Sequence, residues 1–146
     1  MDRELLTTHL SELDRRLALL EPYRSLGAAD LDEADERTAA IERHTQIAIQ
    51  SALDAAGVII TGLRLREPRT YAESFEVLSE AAVLDREHAR RLSDLARFRN
   101  ILVHGYLTID PQETARFLRE GVEDLREFIR AALAASGRHT GRGGRG

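Results

Sequence analysis

The chain has 146 residues and a net charge of −4, with 21 basic residues that are all arginine, 25 acidic residues and no cysteine. This length suits one domain with a hydrophobic core, the charge excludes a general nucleic-acid coat, and the lack of cysteine excludes a disulfide framework and thiolate chemistry. Apolar runs stay below the roughly 18 residues of a membrane span and the N-terminus lacks a signal layout, so we expect a soluble, cytoplasmic protein without a membrane partner.

Two helices are predicted in the first half of the chain. Leucines at alternating steps of four and three predict a first helix that ends before Pro22; they are Leu6, Leu10, Leu13, Leu17 and Leu20. A similar pattern predicts a second helix of about 30 residues. Its inward stripe, rich in small residues that permit close packing, is Ile41, Ala48, Ala52, Ala55 and Ile59. The stretch GLRLREPR, residues 62 to 69, contains Gly and Pro and is predicted to be a basic loop.

Three more helices are predicted after this loop. Thr70 and Glu73 have the spacing of a capping box, and the short third helix then presents Tyr71, Phe75 and Leu78. Asp85 is the predicted N-cap of a fourth helix, with the stripe His88, Leu92, Leu95 and Leu102. Asp110 and Pro111 begin a fifth, with the stripe Ala115, Leu118, Val122, Leu125, Ile129 and Ala132.

These elements predict an all-α, up-and-down bundle of about five helices that forms a single domain over residues 1–135. No strand pattern and no internal repeat appears in the sequence. From residue 136 the chain reads SGRHTGRGGRG, which offers no apolar surface to bury. We therefore predict that residues 136–146 form a disordered Gly/Arg-rich tail.

The stretch RFRNILVHGY, residues 97 to 106, concentrates the chemistry of the chain. Histidine titrates near neutral pH and can take or give a proton, while a guanidinium binds phosphate in a bidentate manner and stabilises added negative charge. Arg99 and His104 together suit cleavage of RNA by its own 2′-hydroxyl. Such a reaction needs no metal and leaves a cyclic phosphate.

Spacing alone does not establish this interpretation. Arg99 and His104 lie at an angle around one helix axis, and an arginine and a histidine near a helix end are more often a surface ion pair and a cap. The two side chains approach each other better if the helix ends near Gly105, because His104 and Tyr106 then lie on a turn. A second copy of the chain, meeting the first across this helix, is the other route to a shared cleft.

The residues assembled so far resemble the HEPN superfamily, and more narrowly the HepT toxin family. The family motif is an Arg, four residues, a His, one residue and a Tyr, and here it is Arg99, His104 and Tyr106 in the form RNILVHGY. The resemblance extends upstream through ERHTQIAIQSALDAAGVII and PRTYAESFEVL and downstream into the fifth helix. It covers most of residues 36–130.

This resemblance implies a HEPN bundle that forms a homodimer and acts as a metal-independent endoribonuclease toxin on RNA, with tRNA as a candidate substrate. It implies that Arg99 and His104 are the catalytic pair. It also implies that Tyr106 is the site where a minimal nucleotidyltransferase antitoxin, called MntA in the family, attaches AMP. A tyrosyl AMP group would add bulk and negative charge beside Arg99 and His104, and would exclude RNA from the phosphate site.

Several other residues are candidates for supporting roles. Asn100 lies one turn before His104 and could orient it, although an asparagine there also suits a helix cap. Asp54 continues a polar ridge with Gln46 and Gln50 on the second helix and could either face solvent or orient an Arg or His. Two further sets could contact the RNA backbone, although each member taken singly is ordinary surface: Arg90 and Arg97 on the fourth helix, and Arg64, Arg66 and Arg69 in the basic loop.

Two other functions stay open. The chain could be a non-catalytic HEPN module that docks a nucleotidyltransferase, presenting Tyr106 as an acceptor or holding a nucleotide with Arg99. It could also be a purely structural helical dimer, which leaves the Arg-His-Tyr cluster unexplained. The histidines lack ligand spacing and no Gly-rich phosphate loop precedes a helix, so we expect no metal site and no cofactor.

Overall fold

The computed structural model describes residues 1–104 and 108–143. Within these ranges the chain forms the helices α1 (Arg3–Leu20), α2 (Glu36–Gly62), α3 (Glu73–Glu80), α4 (Arg86–Val103), α5 (Pro111–Arg116) and α6 (Val122–Gly143). Short 3-10 turns occupy Glu21–Tyr23 and Ala28–Asp30, and a π-helical segment, Phe117–Gly121, joins α5 to α6. The described residues contain no strand. The predicted all-α class is confirmed.

Aspartates begin most of the helices. The carboxylate accepts a hydrogen bond from a backbone N–H two or three residues later, which satisfies one of the free donors of a helix N-terminus, at Asp2, Asp35, Asp85 and Asp110. The predicted caps at Asp85 and Asp110 are therefore confirmed. Before α3, the N–H of Glu73 donates to Thr70 Oγ1 at 3.2 Å, and α3 itself begins at Glu73.

Helices α1 and α2 pack along each other, and α3, α4 and α6 cover α2 from its other side. The core lies between these helices. Every residue of the two predicted inward stripes of α1 and α2 is buried. Phe75 of α3 packs edge-on against Phe128 of α6, with ring centroids 5.7 Å apart. The prediction that Tyr71 belongs to the third helix with Phe75 is wrong, because Tyr71 lies in the turn before α3 and is 56% exposed.

The predicted fifth helix is not regular throughout. Its first turns are α5, and the π-helical segment then widens the backbone before α6 continues. A side-chain carbon at Gly121 would collide with the ring of Phe117. The phenyl ring can therefore lie against the helix backbone, buried and with its centroid 6.3 Å from that of Phe98 on α4.

Helix α6 extends beyond the predicted domain end. Residues 136–143 are helical, so the predicted disordered tail is wrong for this stretch, and residues 144–146 lie outside the described residues. Ser136 is only 7% exposed, and the amino group of Met1 lies 3.4 Å from His139 Nε2. Extending an existing helix adds one hydrogen bond for each residue fixed, which accounts for its continuation past Ser136. No helix in the described ranges has the length and hydropathy that crossing a bilayer requires.

Candidate active site at the end of α4

Arg99 lies on the last turn of α4 and is half-buried. Its Nη1 donates a hydrogen bond to Asn100 Oδ1 at 3.0 Å, and its guanidinium carbon lies 5.5 Å from the ring centre of Tyr71. Its Nε is buried and has no hydrogen-bond partner among the described residues. Leaving such a donor unsatisfied costs about 1–3 kcal/mol, so Arg99 retains hydrogen-bonding capacity that its neighbours among the described residues do not use.

His104 directly follows the last helical residue of α4, Val103. Its backbone has φ −84° and ψ 64°, and its N–H donates to the carbonyl of Asn100 at 3.2 Å. Its side chain is exposed. Helix α4 therefore ends two residues before Gly105, which is the condition under which Arg99 and His104 were expected to approach each other. Gly105 itself and the candidate modification site Tyr106 lie outside the described residues.

Asn100 is exposed on the same turn, and its side-chain oxygen contacts Arg99. The expectation that Asn100 orients His104 stays a prediction. In this structure the amide holds one end of the guanidinium, while the Tyr71 ring lies against it. Asn100 and Tyr71 therefore fix the position of Arg99.

Asp54 lies on the groove-facing side of α2 and contacts α1. Its Oδ1 accepts a hydrogen bond from Gln50 Nε2 at 2.8 Å, and its Oδ2 lies 4.0 Å from His9 Nδ1. The side chain of Asp54 is 40% exposed. The predicted polar ridge, which also includes Gln46, thus lines a groove of about 1170 Å³ between α1 and α2. Sequence reasoning missed His9, because only the packing of α1 on α2 brings it beside Asp54.

A second groove, of about 1200 Å³, lies between the start of α1, the C-terminal half of α2 and the loop before α3. It shares His9 and Asp54 with the first groove. Tyr71 lines its outer end, and the guanidinium of Arg99 lies over the same ring. The two grooves therefore adjoin at His9 and Asp54, and Tyr71 links the second groove to Arg99. No sequence pattern indicated this role of Tyr71, because an aromatic residue at that position also suits a core stripe.

The two arginines of α4 that were predicted to contact RNA are exposed and paired. Arg90 forms ion pairs with Glu87 and Asp94, and Arg97 pairs with Asp94 at 2.6 Å. These carboxylates compete with phosphate for the guanidinium groups. The contact of Arg90 and Arg97 with RNA stays a prediction.

In the part of the chain that the structure describes, no three His, Asp or Glu side chains lie close enough together to hold a metal ion. The expectation of no metal and no cofactor stays a prediction.

Comparison with known proteins agrees with this architecture. A family model described as Ribonuclease HepT-like matches residues 13–132. The chain is 25% identical over 126 residues to a protein of Aphanizomenon flos-aquae named tRNA nuclease HepT, with 86% of each chain covered.

Two solved structures have the same fold. The YutE protein of Bacillus subtilis superposes with a TM-score of 0.78 at 24% identity, covering 92% of this chain and 90% of that one. A tri-AMPylated HEPN toxin of Shewanella oneidensis, solved in complex with an MNT antitoxin, superposes with a TM-score of 0.79 at 18% identity, covering 92% of this chain and 99% of that one. Because the family model also spans most of the sequence, the chain belongs to the family of HepT-like ribonucleases.

Proposed function

We propose that this protein is a metal-independent endoribonuclease toxin, with Arg99 and His104 as its catalytic residues. The observation that carries the proposal is the geometry of Arg99, whose guanidinium is held by Asn100 and Tyr71 while its buried Nε lacks a partner among the described residues. His104 follows at the point where α4 ends. A relative at 25% identity is named a tRNA nuclease, which makes tRNA a candidate substrate.

The proposed reaction uses the 2′-hydroxyl of RNA as its nucleophile. His104 accepts the proton of this hydroxyl, the 2′-oxygen forms a bond to phosphorus, and the bond to the 5′-oxygen breaks. The 5′-oxygen leaves as a hydroxyl after it takes a proton from an acid. Arg99 donates to the non-bridging oxygens, where negative charge increases in the transition state. The products are a 2′,3′-cyclic phosphate and a 5′-hydroxyl, and no redox partner is required.

A homodimer would supply a second histidine as the acid. Ile101 and Val103 lie on the same turns of α4 as the proposed catalytic pair, and they are 39% and 41% exposed. Neighbouring apolar side chains that are exposed at one helix end can form part of a contact with another protein surface. We therefore place the dimer contact at this end of α4, with Asp54 as a supporting residue of the cleft.

We further propose that a nucleotidyltransferase antitoxin of the MntA type neutralises the protein by AMPylation of Tyr106. The solved HEPN toxin with the same fold is tri-AMPylated and is bound to an MNT antitoxin. Tyr106 is two residues beyond His104 in sequence. An AMP group there carries a phosphate that can occupy the anion position beside Arg99.

Cleavage of total small RNA in EDTA tests the catalytic proposal. The unmodified wild type is compared with His104→Ala and Arg99→Ala, and the new 3′ ends are mapped. His44→Ala is the matched control, because it removes an imidazole that contacts Arg16 Nη1 at 2.8 Å, away from the site. We expect cyclic-phosphate ends from the wild type and the control, and loss of cleavage in both site variants. The measured mass in solution should be that of a dimer for all four proteins.

Intact RNA with a folded, dimeric wild type would instead favour the non-catalytic alternative. In that case the motif would be a docking and modification site, and mixing with the nucleotidyltransferase and ATP would still add AMP to Tyr106. Persistence of cleavage in His104→Ala would remove the acid-base role of this residue.

A further inference from the structure

We propose that the groove between α1, the end of α2 and the loop before α3, here called the loop groove, binds the single-stranded RNA next to the scissile phosphate. Arg64 and Arg69 contact its phosphates and Tyr71 stacks on a base. This inference rests on the proposed ribonuclease function. The volume of about 1200 Å³ exceeds the roughly 300–1,000 Å³ of pockets for small molecules, which suits a segment of a polymer.

The three arginines of the loop differ in their partners. Arg66 donates to Glu80 through Nε and Nη2, each at 2.8 Å, and to Glu73 through Nη1 at 2.9 Å. The N–H of Arg69 and the guanidinium of Arg66 lower the pKa of Glu73 below its usual value. Glu73 is therefore ionised at neutral pH and holds the loop to α3. Arg66 is a structural clamp and has little capacity left for phosphate.

Arg64 and Arg69 have the opposite character. Both are exposed and line the loop groove, and neither guanidinium forms an ion pair among the described residues. The backbone of Arg64 is left-handed, with φ 56°, a conformation that costs a non-glycine residue free energy. The hydrogen bond from Leu65 N to Ile60 O at 2.9 Å maintains this turn at the end of α2. The fold thus fixes the backbone at an arginine whose side chain forms no ion pair among the described residues.

Tyr71 connects this groove to the proposed catalytic arginine. Its ring lies under the guanidinium of Arg99, and 56% of the residue is exposed. An exposed aromatic ring beside arginines is the combination that binds single-stranded nucleic acid, since the ring stacks on bases and the arginines contact the backbone. A base stacked on Tyr71 would bring its neighbouring phosphate toward Arg99.

The acidic side chains of the loop groove have partners within the protein. Asp2 accepts the N–H of Leu5 as the cap of α1, and Asp54 contacts Gln50 and His9. Their negative charge is thus partly offset. The free guanidinium groups at the other wall are the groups most available to a polyanion.

Equilibrium binding in the His104→Ala background tests this site without cleavage. The probe is a short, fluorescein-labelled single-stranded RNA of mixed sequence, titrated at several salt concentrations. The variants are Arg64→Gln with Arg69→Gln, Tyr71→Leu and Tyr71→Phe. The matched control is Arg119→Gln with Arg130→Gln, which removes the same charge from exposed arginines outside the grooves.

The double loop variant should weaken binding and reduce the slope of log Kd against log salt by about 1.4, because each phosphate contact on a single strand contributes about 0.7. Tyr71→Leu should weaken binding by roughly 5- to 150-fold without changing this slope. Tyr71→Phe should retain affinity, because it keeps the ring. With His104 restored, the double loop variant should raise KM for cleavage and leave kcat nearly unchanged.

Equal losses in the double loop variant and the control would overturn the inference. A wild type that cuts RNA while the loop variants bind it normally would sustain the ribonuclease proposal and refute the groove. If the wild type never cuts RNA but the loop variants lose RNA binding, the groove would be sustained and the ribonuclease proposal refuted. If sedimentation shows that the loop variants change self-association and not RNA affinity, the groove is a contact between copies and the inference fails.

Discussion

Substitution of Glu42 by Gln should stabilise the protein in alkaline solution and have little effect in mildly acidic solution. Glu42 lies half-buried on α2, and its Oε2 is buried without a hydrogen-bond partner in the described ranges. Burial, and to a smaller extent the charge and proximity of Glu33, raise the pKa of the Glu42 carboxyl from 4.5 to about 7. Between these two pH values the folded protein therefore retains a proton on Glu42 that the unfolded chain releases.

The sign of the pH dependence follows from this difference. Between pH 4.5 and about 7 the folded state binds more protons at Glu42 than the unfolded state, so stability falls as the pH rises through this interval. At 1.36 kcal/mol for each pH unit, the full shift would correspond to about 3 kcal/mol. Glu42 is partly exposed and Glu33 is exposed, so solvent screening reduces the expected gain to about 1–2 kcal/mol.

Urea unfolding followed by circular dichroism at pH 5, 6, 7 and 8 measures this effect. The free energy of unfolding of Glu42→Gln should approach that of the wild type at pH 5 and exceed it at pH 8. Glu33→Gln should give a smaller gain, because burial is the larger cause of the pKa shift. Glu76→Gln, an exposed position on α3, is the control. Parallel pH profiles for the wild type and Glu42→Gln would refute the assignment of a protonated, buried carboxyl.

Two further predictions concern the helices and the proposed catalytic arginine. Gly121→Ala should lower the free energy of unfolding by about 1–3 kcal/mol, because the added Cβ would collide with the buried ring of Phe117. Gly57→Ala should raise it by about 0.5–1 kcal/mol, because the added Cβ would have nothing within 4 Å. Thermal and urea unfolding of both variants would check these opposite signs. Arg99→Lys should keep the fold and the charge but lose the planar contacts with Asn100, so the rate of RNA cleavage should fall by about 100-fold or more. A cleavage rate near that of the wild type would show that a positive charge alone suffices for catalysis.

Local patterns predicted the helices well because burial in a bundle follows helical periodicity. The leucine stripe of α1 and the small-residue stripe of α2 are buried as predicted. The π-helical segment escaped prediction, since Leu118 and Val122 keep the three-four spacing of a regular helix and are buried in either geometry. The close contact of the Phe117 ring with the backbone at Gly121 depends on side-chain shape, which periodicity does not represent.

The candidate site was predictable only in part for a related reason. Arg99 and His104 are neighbours in sequence, so a motif identifies them together. Tyr71 comes from another element and reaches Arg99 only through the packing of the loop before α3 against α4. The contact of Ser93 Oγ with the carbonyl of Ala72 at 2.9 Å holds these two segments together.

The arginines illustrate what sequence alone leaves undetermined. Every basic residue is arginine, so residue type cannot separate a structural cation from one that binds a ligand. The ion-pair partners of each arginine distinguish these two roles. Arg91 Nε lies 2.9 Å from Asp124 Oδ1 and connects α4 to α6. Arg66 connects the loop to α3 in the same way. Arg64 and Arg69 have no such carboxylate among the described residues. Both arginines line the same groove as Tyr71, whose ring contacts Arg99.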